Sequence, residues 1–113
     1  IFVENYPNAF EVLKGNIKNL KCEIFCKTSN LDCFNYIENI QNEKLKFDLI
    51  FLDPPYKEKK INLLIEKILY KNILKQNGLI IIHRHKKDDV KLTDKLNAID
   101  LRLYGISKII FAN

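Results

Sequence analysis

Residues 47–57 read FDLIFLDPPYK, an apolar run that stops on an acid, two prolines and an aromatic ring. Those residue types in that order suit one kind of chemistry, group transfer to an exocyclic amine. The amine's lone pair is delocalised into its ring, so the nitrogen is a poor nucleophile. Acceptors set against its N–H hydrogens draw it toward tetrahedral geometry and free the lone pair. Asp53 offers one acceptor and the Pro54 carbonyl a second. Neither proline donates an N–H, and both hold φ near −65°, so Pro54 and Pro55 fix the carbonyl's direction. Tyr56 can stack on a flipped-out base and hold it in place. Asp-Pro-Pro is also an ordinary turn after a strand, and the tetrapeptide alone does not separate the two readings.

The elements around the motif must carry it. Four consecutive apolar residues, Leu49 to Leu52, predict a strand buried on both faces of a parallel sheet. Upstream, Ile1–Val3 reads as a strand end closed by Glu4. Pro7 suits the first turn of a helix whose inner face is Ala9, Phe10, Leu13, Ile17 and Leu20. Cys22 to Cys26 is expected as a short strand. Thr28-Ser29-Asn30 is expected to cap the next helix, with Phe34, Ile37 and Ile40 facing inward. After the motif, Ile61, Leu64, Ile65, Ile68 and Leu69 mark an amphipathic helix. Asn77-Gly78 breaks the chain and Leu79 to Ile82 forms another buried strand. A polar helix or loop covers roughly 86–97, and Leu101–Tyr104 with Ile106–Phe111 reads as an antiparallel hairpin turning at Tyr104-Gly105, where Gly permits a positive φ. Strands alternating with helices define an α/β domain with a mostly parallel sheet, and ligands of such sheets sit outside the strands' carboxyl ends. Glu4, Thr28 to Asn30, Asp53 to Tyr56 and His83 all fall at such ends.

Composition bounds the rest. The 113 residues suffice for one domain with a core, residues 1–113 taken as one unit. The net charge of +5 and pI of about 9.1 are compatible with a nucleic-acid partner, although scattered lysines are also ordinary solvated faces. Lys57, Lys59 and Lys60 follow the motif, where they can meet substrate phosphates or simply face water. Cys22, Cys26 and Cys33 match no common zinc spacing, so free, mostly buried thiols in a reducing cytoplasm are expected. No apolar run approaches the ~20 residues that span a bilayer, and no membrane partner is expected. His83 and His85 share one side of a strand without a third ligand, so no metal is expected. A polar strand end near RNA phosphate is the reading of His83-Arg84-His85. Residue 1 is Ile inside an apolar run and the chain holds no Met, which reads as a piece of a longer protein that has lost its N-terminal part.

VEN at residues 3–5, LKGNIKNL, FDLIFLDPPY, NGLIIIH and RLYGISKIIF resemble, in order and spacing, the RsmD-type 16S ribosomal RNA guanine-N2-methyltransferases. The resemblance runs the length of the chain and is specific in FDLIFLDPPY and the YG hairpin. It implies a Rossmann-like class I methyltransferase fold with a C-terminal antiparallel hairpin, S-adenosyl-L-methionine as cofactor, and guanine in small-subunit ribosomal RNA as target. The chain would be the C-terminal portion of the catalytic domain. The glycine-rich motif and first strand, which sits beside Phe47–Leu52, would precede Ile1. Carried over, Asp53, Pro54, Pro55 and Tyr56 hold the target base. Glu4 accepts from the cofactor's ribose hydroxyls, with Asn5, Ser29, Asn30 and Asp53 beside it. Where the family has an acid near the adenine, Thr28, Ser29 or Asn30 stands here; where it tends to carry Glu after the fifth strand, this chain has His83. Two other functions stay open: amino-methylation of adenine or cytosine in DNA, which shares the DPPY motif, and an inactive or RNA-binding remnant of the fold.

Overall fold

The computed structural model describes residues 1–41 and 44–113. Packing divides the chain into two compact units, Ile1–Gln41 and Asn42–Asn113.

The first unit runs β1 (Phe2–Val3), α1 (Pro7–Asn19), a 3-10 turn (Glu23–Phe25), β2 (Thr28–Ser29) and α2 (Cys33–Glu38). Pro7 opens α1, as expected, because the missing N–H is one the first turn cannot use. Ile17 is buried on α1, but Leu20 is 74% exposed, so the inner face ends one turn early. The helix closes when Lys21, at φ 53°, sends its N–H to Lys18 O and Cys22 sends its own to Ile17 O. That closure corrects the expected strand at Cys22–Cys26. Cys22 N–H is consumed by the cap, and Phe25 N–H then donates to Cys22 O, which tightens the segment into a 3-10 turn. The strand lies at Thr28–Ser29 instead, pairing parallel with Phe2–Val3. Asp32, not residues 28–30, caps α2: its Oδ1 accepts from Phe34 N at 2.9 Å and Asn35 N at 3.4 Å. The cysteines form no disulfide among the described residues and are half-buried, not mostly buried. Burial pushes the Cys22 thiol up, helped by its contact with Cys26 and the charge of Glu23, which disfavours a nucleophilic thiolate.

In the second unit, β3 (Phe47–Leu52), α3 (Ile61–Tyr70), β4 (Leu74–His85), β5 (Ala98–Tyr104) and β6 (Ser107–Ala112) build a four-stranded sheet in the order β3-β4-β6-β5. The β3–β4 pair is parallel; β4–β6 and β5–β6 are antiparallel. Gly105 turns the hairpin at φ 58°, as expected. Residues 86–97 form turns and loop, with no helix. β4 starts five residues before the expected Leu79, and its register slips between Leu74 and Leu79. Asn77 (φ 94°) and Gly78 make that slip, and a Cβ on Gly78 would lie 2.9 Å from the Lys75 carbonyl oxygen.

Strand pairing places Ile50, Leu52, Ile80, Ile82, Arg84, Ile110 and Ala112 on one face, and this face is the covered one. The core adds the inner stripe of α3, Ile61, Leu64, Ile65 and Ile68, with Ile73 and Leu96. The opposite face of β3 is open: Leu49 is 53% and Phe51 58% exposed. This corrects the expectation of burial on both faces: one face of β3 packs into the core and the other is bare, and among the described residues β3 pairs with β4. No helix among the described residues is long and apolar enough to cross a membrane.

Candidate active site

β3 delivers the motif and then stops, since two consecutive prolines cannot extend a ladder. The loop folds back on itself: Glu58 N donates to Pro55 O at 2.8 Å, and Lys60 N donates to the Glu58 side chain at 2.6 Å. What fixes it in space comes from the end of β4, thirty residues away. Successive residues of a strand point to opposite faces. His83 and Arg84 therefore meet the loop from two sides.

On the open face, His83 Nδ1 stands 2.7 Å from Asp53 Oδ1. The carboxylate can only accept, so Nδ1 donates in this contact, and Nε2 faces the other way. The Tyr56 hydroxyl lies 3.3 Å from that Nε2 and 3.2 Å from Ser107 Oγ on β6. If Tyr56 donates to His83, Ser107 donates to Tyr56. The Tyr56 ring also meets His83 and His85 edge to face, with centroids 5.8 and 5.7 Å away. Asp53 thus belongs to a chain of polar contacts, Asp53–His83–Tyr56–Ser107, joining three elements.

On the covered face, Arg84 is 1% exposed. Its Nη1 donates to Pro54 O at 3.2 Å and Pro55 O at 2.9 Å; its Nη2 donates to Tyr56 O at 3.0 Å and Glu58 O at 2.8 Å. Four carbonyls use all four Nη hydrogens. Asp88 Oδ2, 2.8 Å from Nη2, therefore offsets the buried charge without a hydrogen to accept. The expected placement of Arg84 near RNA phosphate is corrected here: the guanidinium is buried and spent on the loop's backbone. The Pro54 carbonyl, expected as a second amine acceptor, is already engaged on one lone pair, at the longest of the four distances, and keeps another. Arg84 is the residue that the motif analysis missed. Its signal was the two-residue period Ile80, Ile82, Arg84, which places it on the same face as two fully buried isoleucines.

The first unit assembles its own candidate group. Val3 pairs with Ser29, and Glu4 N donates to Ser29 O at 3.1 Å. The carboxyl ends of β1 and β2 thereby bring Glu4, Asn5, Ser29 and Asn30 together. Glu4 Oε1 accepts from Tyr6 N at 2.7 Å, which aims the carboxylate. A carboxylate oriented this way, beside small polar residues, fits a vicinal diol. The three glycines lie in α1, in the slip of β4 and in the hairpin turn, and none of them directly follows β1 or β2. Lys57 and Lys59 are exposed in the motif loop. Among the described residues, no cluster of three His, Cys, Asp or Glu could hold a metal ion.

The family described as Conserved hypothetical protein 95 matches residues 1–113, the whole chain. The chain belongs to that family. This is the RsmD-type relationship that FDLIFLDPPY and the YG hairpin point to. The chain is 36% identical over 64 residues to "Uncharacterized methylase RP545" of Rickettsia prowazekii (strain Madrid E), covering 57% of this chain and 27% of the relative. It is 28% identical over 93 residues to "Putative rRNA methyltransferase YlbH" of Bacillus subtilis (strain 168), covering 82% and 50%. A solved structure, a conserved hypothetical protein of Streptococcus pyogenes, superposes with a TM-score of 0.88 at 27% identity, covering 97% of this chain and 68% of that one. The chain therefore spans half or less of the length of these two curated relatives. Its fold is the α/β fold of this methyltransferase family, with a mixed sheet and a C-terminal hairpin.

Proposed function

We propose that this chain is the C-terminal portion of one catalytic domain that methylates an exocyclic amine using S-adenosyl-L-methionine, and that the amine is guanine N2 in 16S ribosomal RNA. The observation that carries the reading is the placement of Asp53, Pro54, Pro55 and Tyr56 at the carboxyl end of β3, with Asp53 and the Pro54 carbonyl each backed by a side chain from β4. The name of the Bacillus subtilis relative supports an RNA substrate. In a cytoplasmic setting the partner is ribosomal RNA or the small ribosomal subunit.

The cofactor supplies an electrophilic methyl group when bound. Glu4 would hold its ribose hydroxyls, with Asn5, Ser29 and Asn30 alongside. Asp53 has one oxygen turned to His83 and so offers the other to the amine, which the second lone pair of the Pro54 carbonyl meets as well. Both groups accept only. Guanine presents N1–H and N2–H₂ side by side as donors, whereas adenine and cytosine have no ring N–H next to their amine. Holding the nitrogen in a near-attack geometry is worth several kcal/mol of barrier. Tyr56 stacks on the base, and the amine proton leaves to Asp53.

Transfer of labelled methyl groups to small-subunit RNA stripped of modification, to naked 16S RNA and to DNA tests the reading in the natural protein that carries this sequence. N2-methylguanine in RNA, abolished by Asp53→Ala, is the expected product. Methyl groups found only on DNA amines would replace the substrate, and binding of RNA without any transfer would replace the enzyme by a remnant.

A further inference from the structure

We infer that His83 and Arg84 are positioning residues, a two-sided clamp by which the end of β4 sets where the Asp53 carboxylate and the Pro54 carbonyl point. The inference rests on the methyl-transfer reading above for its function and on geometry alone for its existence. Prolines remove the N–H donors that would tie this loop to a neighbouring strand. Its orientation must come from donors elsewhere, and residues 83 and 84 supply them. Arg84 takes the backbone: four carbonyls of residues 54, 55, 56 and 58 converge on one buried guanidinium. A planar fork fixes the carbonyl directions as well as their positions, which a lysine's single ammonium cannot do. His83 takes the side chains. One imidazole holds Asp53 through Nδ1 and Tyr56 through Nε2, so acceptor and stacking ring are registered to each other. Both residues act through Asp53, Pro54 and Tyr56 and not on the base itself.

A clamp of this kind acts on the geometry of attack more than on binding. The test measures kcat and KM for the RNA in the natural protein, in His83→Ala, His83→Asn and Arg84→Lys. Asn carries a side-chain N–H close to where His holds Nδ1–H, so it retains the grip on Asp53. His83→Ala is expected to lower kcat by about 10- to 100-fold with KM changed by less than about threefold. His83→Asn is expected to recover most of that loss, and a purely structural role gives no reason for such rescue. Arg84→Lys keeps the charge opposite Asp88 and loses the fork; it is expected to lose kcat to a similar degree and to open the loop to trypsin at Lys57 and Lys59. A kcat for His83→Ala within about twofold of the parent, or no rescue by Asn, overturns the clamp. Should Arg84→Lys fail to fold, the His83 pair of variants still decides. If the parent protein transfers no methyl group, the function above has failed, and the clamp is then read by nuclear magnetic resonance. A slowly exchanging His83 Nδ1 proton that is lost in Asp53→Ala supports it, and its absence from the parent protein overturns it.

Discussion

Two strand ends carry the candidate groups, and they are held in different ways. At the end of β1 and β2, Glu4 is aimed by the N–H of Tyr6, two residues along its own chain, and α2 is capped by Asp32 acting on the two residues after Cys33. At the end of β3, the motif is held by His83, Arg84 and Ser107, residues 26 to 51 positions away. Local bonds survive loosening of the surrounding fold, and long-range ones do not. A site built by the second device is rigid when the sheet is formed and lost when it opens.

Variants can break this contrast, beginning with the largest effect. Arg84→Ala leaves Asp88 and four carbonyls without their buried partner, and should cost about 3–5 kcal/mol of unfolding free energy in a denaturant titration. Glu4→Gln keeps an oxygen for Tyr6 N–H but removes the charge that, on the proposed function, meets the cofactor's diol. We expect S-adenosylmethionine affinity to fall about tenfold by calorimetry, which is about 1.4 kcal/mol, with the melting temperature unchanged. Asp32→Ala removes a helix cap and should cost about 1 kcal/mol, confined to residues 33–39 in amide exchange. Asp48→Asn should do least. Its exposed carboxylate accepts from Lys75 Nζ at 2.8 and 2.9 Å, and that hydrogen bond, then the Lys75 charge, lowers its pKa. A folded value below the unfolded one means the contribution is present above the ordinary aspartate value of about 3.9 and is lost as pH falls through the lower folded value. The small difference between Asp48→Asn and its parent in thermal melts should therefore vanish in acid.

The same contrast explains what could be read from the residues. The motif strand, the α3 stripe, the Pro7 start and the Gly105 turn are local patterns with strong local causes, and they lie where expected. Thr28-Ser29 fits a cap and a strand equally well, and the choice was made by Asp32 two residues beyond Asn30. CEIFC is short and apolar like a strand, yet Cys22 was already committed to closing α1. Leu49 and Phe51 look like core by composition. Their exposure depends on what packs against that face of the sheet, which no local pattern sets. Arg84 carried only the two-residue period, and its four partners could not be inferred from any window shorter than the loop and strand together. Asp53, Pro54 and Tyr56 were legible as types; that β4 holds them was not.

The spacing between motif and clamp also has a temporal side. During synthesis the loop emerges thirty residues before Arg84 exists. Until β4 docks, its carbonyls have only water to face, and Asp53 has no fixed direction. Parallel pairing across an intervening helix is a non-local event and comes late in folding. A newly made chain would thus acquire its core helix early and its chemistry last.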